Sequence, residues 1–414
     1  MAHAEETPEE AVLHLPDEEE RRCREYGRYK LALSIAETAM LLGTLLLLTF
    51  SGASALLLRL AEAGHPALWL GHTLFLIQVG LITRLALLPV QFANEHWVDR
   101  RFGISVQSAG DWLWEWFCRS AVFGAVTVIF LVPVVESLRW SRLLIVLWCF
   151  AFPVLRNLFH EYVYQPLYAL FYPVRFLRYE TFSLPGVDRT TLPVYQVQVS
   201  HKTRRANASI RLRGKRTAIY VTDTLIDEFT DGEERVVMAH EFGHLYDHLH
   251  LEERTRAGVA QAHRKLVLGS AQLLAGVLSF GLLYVLGPVV GPLRPTDLVT
   301  FPLLAALTLA LAQLISPFLC REARRDERDA DEYALAITGD VENYLSVMQK
   351  LRRINLEEIH ASPLSRLLFD THPSYGERVH LALHYRRRHA PRRRHQRGGQ
   401  HCRQWKNIRH HDRR

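Results

Sequence analysis

The residues best suited to chemistry are His240-Glu241-Phe242-Gly243-His244, an H-E-x-x-H sequence. On a helix, residues four apart share a face, so both imidazoles can reach one ion. Glu241 falls beside that face, where it can accept a proton from water instead of ligating the ion. This pattern points to Zn2+ and to hydrolysis, because the ion lowers the pKa of its water to about 7 and a neighbouring carboxylate takes the proton. Val236-Val237-Met238-Ala239 would give the helix an apolar back, and acidic residues from Glu233 onward suit its first turn. The bland alternative is two surface histidines on a charged helix, and a third ligand is what separates the two readings.

Two residues compete for that place. His250 stands six residues after His244, a spacing that brings a third histidine round where a glycine makes the turn. Asp247 occupies the turning position and tolerates left-handed backbone less well than glycine. Glu327 lies in Arg324-Arg325-Asp326-Glu327-Arg328-Asp329-Ala330-Asp331, a segment that reads as helical through Leu335. Glu327 and Asp331 share a face, so one could ligate while the other orients a ligand histidine. The alternative for this segment is a solvated charge cluster, and the residues alone leave the choice open.

These groups must be positioned by a chain whose 414 residues are 49% hydrophobic, near the average for a soluble protein. The apolar residues are segregated into runs, however, which points to a membrane protein. A bilayer core needs about 20 apolar residues per helix. Six stretches approach this: 38–58, 66–92, 120–135, 143–173, 266–293 and 298–320. The second half of 143–173, with Arg156, His160 and Glu161, is expected to leave the membrane, and the last two stretches should form a hairpin about 294–297. With residues 1–30 cytoplasmic, six spans put 94–118, 174–265 and 321–414 on one side, together with nearly all Arg and Lys, as the positive-inside rule requires. Both halves of the candidate site fall on that same side.

Between the fourth and fifth spans, 194–199, 208–212 and 217–221 read as strands, 224–229 as a short helix and 233 onward as the helix carrying the motif. Cys23, Cys118, Cys149, Cys320 and Cys402 form no C-x-x-C pair, which argues against a disulfide framework and a cysteine-based metal site. The acidic N-terminus lacks a signal-peptide pattern. The net charge of +7 resides in the segment 386–414, which has twelve Arg or Lys and one acid. That segment is expected to be a solvated, disordered tail that could attract anionic lipid, with no specific nucleic-acid partner.

Ordered along the chain are Glu25-Tyr26-Gly27-Arg28-Tyr29-Lys30, Leu88-Pro89, Glu95-His96, Arg101-Phe102-Gly103-Ile104-Ser105, Asn207-Ala208, Val221-Thr222-Asp223-Thr224-Leu225-Ile226, His240–His244, Glu327 with Ala330-Asp331, and His372-Pro373 with Glu377-Arg378. In this set the chain resembles the integral-membrane zinc CAAX prenyl proteases of type one and their bacterial relatives, which are gluzincins, from about residue 20 to 384. The resemblance implies one Zn2+ held by His240, His244 and Glu327, with Asp331 orienting a ligand. It implies that Asn207 and Ala208 hold the substrate backbone on an edge strand, and that His372 and Arg378 stabilise the oxyanion or grip a carboxylate. A capped turn before a helix from Tyr375 is the plainer reading of the last two. The resemblance also implies a large water-filled chamber, which Glu37, Arg84, Arg156 and Glu161 could face. Three departures stand out: an additional span before Tyr26-Gly27-Arg28 in eukaryotic members is missing, Asp326 and Arg328 replace aromatic residues, and the Arg-rich tail has no counterpart.

The expected fold is therefore mostly α: a polytopic membrane bundle of about six spans with a gluzincin catalytic domain carrying a small β-sheet. The expected divisions are a cytoplasmic segment 1–30, a four-span domain 31–173, a metallopeptidase domain 174–385 interrupted by a hairpin at 266–320, and the tail 386–414. The expected activity is zinc-dependent peptide hydrolysis at the membrane interface, on a peptide or protein substrate that could be prenylated. Membrane-protein quality control and a non-catalytic zinc-containing scaffold are the alternatives. The expected location is a bacterial inner membrane with a cytoplasmic-side site.

Overall fold

The computed structural model describes residues 16–63, 67–138, 144, 158–182, 190–211, 217–249, 274–285, 287 and 297–389. Helix α1 (Asp17–Phe50) opens on Asp17, Glu18, Glu19 and Glu20, which favour a helix N-terminus, and then enters its apolar stretch. It stops at Ser51, and Gly52 takes φ 77°, a left-handed conformation that costs a glycine little. The chain then folds back as α2 (Ala53–Ala63), packed on α3 (Leu68–Phe92). The expected first span 38–58 is thus split at Gly52, and only its first part belongs to the crossing helix.

Helix α3 contains Pro89 and continues through a π-helical turn, Ala93–Trp97, to Arg101. Helix α4 spans Ala109–Leu138. Most of the expected fourth span lies outside the described residues. Its described end is a π-turn, His160–Tyr164, followed by α5 (Gln165–Phe171), after which the chain turns into a strand at Val174. Among the described residues, four helices are long and apolar enough to cross a bilayer: Asp17–Phe50, Leu68–Arg101, Ala109–Ser137 and Leu298–Thr338. The apolar helix α8 (Leu274–Val285) is the described part of the expected fifth span.

The sheet has four strands, β1 (Val174–Phe182), β2 (Thr190–Val197), β3 (Ala208–Arg211) and β4 (Ala218–Thr222), in the order β1-β2-β4-β3. Strand β1 is not among the segments whose alternation reads as a strand. A register shift between Phe176 and Arg178 breaks its alternation, which hides it from a period-2 reading. Strands β2 and β4 pair in parallel, β3 pairs antiparallel to β4, and β3 lies at the edge.

Helix α6 (Asp223–Glu228) leads into α7 (Asp231–Leu249), which carries the motif. The start of α7 is a capping box: Thr230 N–H donates to Glu233 at 2.8 Å, and Glu233 N–H donates to Thr230 Oγ1 at 3.5 Å. Two helices cover α7, α9 (Phe301–Thr338) and α10 (Val341–Asn355), and α11 (Pro363–Leu368) and α12 (Tyr375–His389) complete the domain. Helix α9 is one continuous element, so the sixth apolar stretch and the acidic segment 324–331 form a single rod ending at Gly339, φ 61°. The shared core joins the sheet to α7, α9, α10 and α12 through Val194, Ile219, Met238, Phe242, Leu335, Tyr344 and Val379.

The start of α1, the end of α3 and the sheet meet on one side of the bundle. Tyr26 donates to Asp99 at 2.9 Å, and Ser105 forms a bridge with Thr203. At the other end of the bundle, Ser54 donates to the Val299 carbonyl at 2.6 Å and His72 contacts Glu136. The described parts of 94–118, 174–265 and 321–389 therefore share a side, as expected. Helix α12 runs to His389, so the basic segment begins inside a helix; residues 390–414 lie outside the described residues.

Candidate metal centre and active site

Helix α7 places His240 and His244 one turn apart, and α9 presents Glu327 opposite them. The three side chains can each offer a ligand atom, with all three atoms within 4.8 Å of one another. His240 Nε2 lies 3.3 Å from Glu327 Oε2, and His244 Nε2 lies 3.6 Å from Glu327 Oε1. A tetrahedral ion with bonds of about 2.0–2.1 Å separates its ligands by roughly 3.3–3.4 Å, so this donor set fits one small cation. Glu327 supplies the third corner of the group; His250 lies outside the described residues.

The close approach of α7 and α9 depends on Gly243. A Cβ there would fall 2.8 Å from Ala330 Cα and 3.1 Å from Ala330 Cβ. The middle of the motif is therefore shaped by packing, which lets the face bearing Glu327 and Asp331 come up against the histidines.

Behind the ligands lies a buried polar chain. Asp331 Oδ1 sits 2.9 Å from His240 Nδ1, and Asp331 is fully buried. If Nδ1 carries the proton, Nε2 is left free toward the centre. Arg378, from α12, donates to both oxygens of Asp331, through Nε at 2.9 Å and Nη2 at 2.6 Å. Tyr344, on α10, is buried beside this pair. Two of the guanidinium nitrogens of Arg378 are thus engaged with Asp331.

His372 approaches from the open side, with Nδ1 3.0 Å from Glu327 Oε2 and its side chain 66% exposed. Its loop is tied to α9, since Arg324 donates to the carbonyls of Arg366 and Asp370 at 2.7 and 2.5 Å. The loop ends in a second capping box: Ser374 N–H donates to Glu377 at 3.0 Å, and Glu377 N–H donates to Ser374 Oγ at 3.4 Å. The capped turn and the approach of His372 to the centre thus coexist. Arg324, read from sequence as part of a charge cluster, has this tethering role, which only the fold reveals.

Glu241 is 6% exposed. Burial pushes its carboxyl up from the ordinary carboxylate range, and nearby His240 and the backbone N–H of Ile210 on β3 counteract this. The site opens on a cavity of about 1140 Å³, whose walls include Tyr26, Lys30, Tyr168, Tyr172 and Arg205 as well as Asn207 and Ala208. Asn207 turns its backbone inward: its N–H donates to Thr222 Oγ1 at 3.0 Å, and its carbonyl accepts from Thr222 N–H at 2.9 Å. The alternation of a strand then turns the peptide groups of Ala208 and Ile210 toward the open edge. Of the four residues expected to face a chamber, Glu37 accepts from Gln91 at 2.7 Å and Arg84 lies over the Phe123 ring at 4.8 Å. Arg156 and the side chain of Glu161 lie outside the described residues.

Two family models account for most of the chain. The model described as CAAX prenyl protease N-terminal, five membrane helices, matches residues 1–171, and that of peptidase family M48 matches residues 184–386. A Bacillus subtilis (strain 168) protein described as the uncharacterized metalloprotease YhfN is 26% identical over 357 residues, 81% of this chain and 78% of its own. The crystal structure of S. mikatae Ste24p matches with a TM-score of 0.66 over 89% of each chain at 17% identity, which shows a shared fold. Taken with the membrane helices and the His-His-Glu group, these findings establish that the chain belongs to peptidase family M48 and is an integral, multi-pass membrane metalloprotease.

Proposed function

We propose that this protein is a zinc endopeptidase that cuts peptides entering the cavity at the membrane interface, with His240, His244 and Glu327 as the metal ligands. The observation that carries this reading is the convergence of those three side chains on one point beside buried Glu241 and the open edge of β3. When bound, zinc supplies Lewis acidity, which acidifies water and polarises a carbonyl. Glu241 accepts the proton of the attacking water and returns it to the leaving amine. Ala208 and the carbonyl of Ile210 hold the substrate backbone by strand addition. His372, exposed to the cavity, donates to the developing oxyanion. Arg378 acts through Asp331, which fixes His240, as a positioning residue.

The domain divisions at 30, 173 and 385 and a cytoplasmic-side site go with this reading, supported by the positive charge collected on the side of the site. The match to a Bacillus subtilis relative supports a bacterial inner membrane. General membrane-associated peptide cleavage is favoured over strict prenyl-peptide processing. The match to a CAAX protease model makes a prenylated peptide the first alternative substrate to try.

The test is incubation of the purified, zinc-loaded protein with a farnesylated C-a-a-X peptide and its unmodified counterpart, with products identified by mass spectrometry. Wild type should cut both, and Glu241→Gln should retain zinc while losing at least about 10²-fold in rate. A strict need for the farnesyl group would move the substrate class to prenyl peptides, and zinc-loaded wild type that cuts neither would sink the reading.

A further inference from the structure

Strand β3 continues backward through Asn207 and Ala206 toward Arg205, and its open edge does not continue with it. With the backbone of Asn207 engaged by Thr222, alternation turns the peptide groups of Ala206 to the same side as those of Ala208 and Ile210. Successive outward rungs along a strand lie about 6.6 Å apart. The rung at Ala206 is filled. Asn355 Oδ1 accepts from Ala206 N–H at 3.3 Å, and Asn355 Nδ2 donates to the Ala206 carbonyl at 3.2 Å. One side-chain amide thus makes both bonds that a neighbouring strand would make.

Asn355 is held in place. It is the last residue of α10, and Leu356 after it has φ 57°, the one positive value for a non-glycine among the described residues. Leu356 is kept in that unfavourable region by burial against Cys23, Tyr26, Val98 and Phe102. The end of α10 is therefore anchored to the bundle, and the Asn355 amide is aimed at the strand. Ala206, Asn207, Ala208 and Asn355 all line the cavity.

We infer that Asn355 is a specificity-determining residue that ends the substrate-binding edge at Ala208. A substrate strand pairs with the rung at Ala208 and with the carbonyl of Ile210, whose N–H is turned to Glu241, and at Ala206 it meets an amide that has already taken the main-chain donor and acceptor. Substrate residues beyond that rung gain no backbone pairing, so the site grips a short stretch on this side of the scissile bond and ignores length beyond it. This inference rests on the proposed peptidase reading and adds to it a limit on the bound segment.

The test uses the full-length, zinc-loaded protein and a peptide it cuts, trimmed to the shortest form still cleaved and then extended by two residues at either end. Wild type should show nearly the same KM for the trimmed peptide and for the peptide extended past Ala206. Asn355→Ala and Asn355→Ser uncover that rung, so KM for the extended peptide should fall by about five- to tenfold relative to the trimmed one, the worth of two backbone hydrogen bonds. A merely structural role would change the rates for both peptides in proportion. An extended-to-trimmed KM ratio equal to that of wild type in a folded variant, at both ends, would overturn the inference. Absence of any Glu241-dependent cleavage by wild type is a different failure, visible before any ratio is compared, and it would remove the peptidase reading on which the inference stands.

Discussion

Gly243 and Ala330 mark the point where the motif helix and the long rod α9 come closest, and a Cβ at 243 would fall within 2.8 Å of the Ala330 main chain. Neither Ala330 Cα nor its carbonyl can swing aside as the end of a long side chain would. Gly243→Ala must therefore push the helices apart by several tenths of an ångström, and overpacking of this kind costs about 1–3 kcal/mol. The strain falls on the contact that sets the separation of Glu327 from His240 and His244. Metal affinity in chelator competition should weaken by about tenfold or more, with a lower Tm. Unchanged affinity would mean that α9 reaches the ligand position by some other constraint.

The family resemblance assigns Arg378 and His372 one role, stabilising an oxyanion or gripping a carboxylate, but the two side chains have different surroundings in the fold. Removing the guanidinium in Arg378→Ala leaves Asp331 buried without its cation, which costs roughly 3–5 kcal/mol. It also loosens the orientation of His240, an effect worth about 10–100-fold in metal affinity. His372→Ala removes a largely exposed side chain. It should leave Tm and zinc content near those of wild type and lower kcat by about 10²-fold. Thermal unfolding, metal analysis and steady-state kinetics on the two variants form one experiment. Equal loss of zinc in both would contradict this division of roles.

Chelation provides a third test. His240, His244 and His372 each bring a ring nitrogen within 3.6 Å of a Glu327 carboxylate oxygen. An ion that binds the folded state alone stabilises it by about 4 kcal/mol when present at a thousand times its Kd. Treatment with a chelator should therefore abolish activity and lower Tm, and added Zn2+ should restore both. The Glu327→Gln variant should show little response to either treatment. A full response from that variant would remove Glu327 from the ligand set.

The sequence made the chemistry legible because it fixes residue types at short spacing: two histidines and a carboxylate within five residues, and apolar runs long enough to cross a bilayer. What it hid were relationships made by tertiary contact. The role of Gly243 depends on a helix 87 positions away. Asn355 is an ordinary helix-end residue until β3 is laid beside it. Strand β1 escaped detection because its bulge breaks alternation. The first apolar run looked like one span because hydropathy does not register the left-handed turn at Gly52. Arg378 matched a motif by position, but its partner Asp331 could be assigned only once α9 and α12 were in contact.

The end of α7 remote from the metal centre offers a pH-dependent prediction that does not involve the ligands. Glu233 caps that helix and also bridges to α10, accepting from Lys350 Nζ at 2.7 Å and from Ser346 Oγ at 2.5 Å. Burial opposes its charge, but Lys350, Ser346 and Thr230 outweigh burial and bring its pKa down to about 2. A glutamate in the unfolded chain titrates near 4.3. The folded value is the lower one, so its contribution to stability is fully present above about pH 4.3 and is lost as the pH falls toward 2. The difference of roughly two units corresponds to about 2–3 kcal/mol. Glu233→Gln should therefore lower Tm at neutral pH, and the gap between variant and wild type should shrink steadily below about pH 4. Because both proteins share every other carboxylate, including Glu241 and Glu327, the difference between their unfolding curves isolates Glu233. A gap that stays constant down to pH 3 would show that its capping and bridging bonds do not depend on its charge.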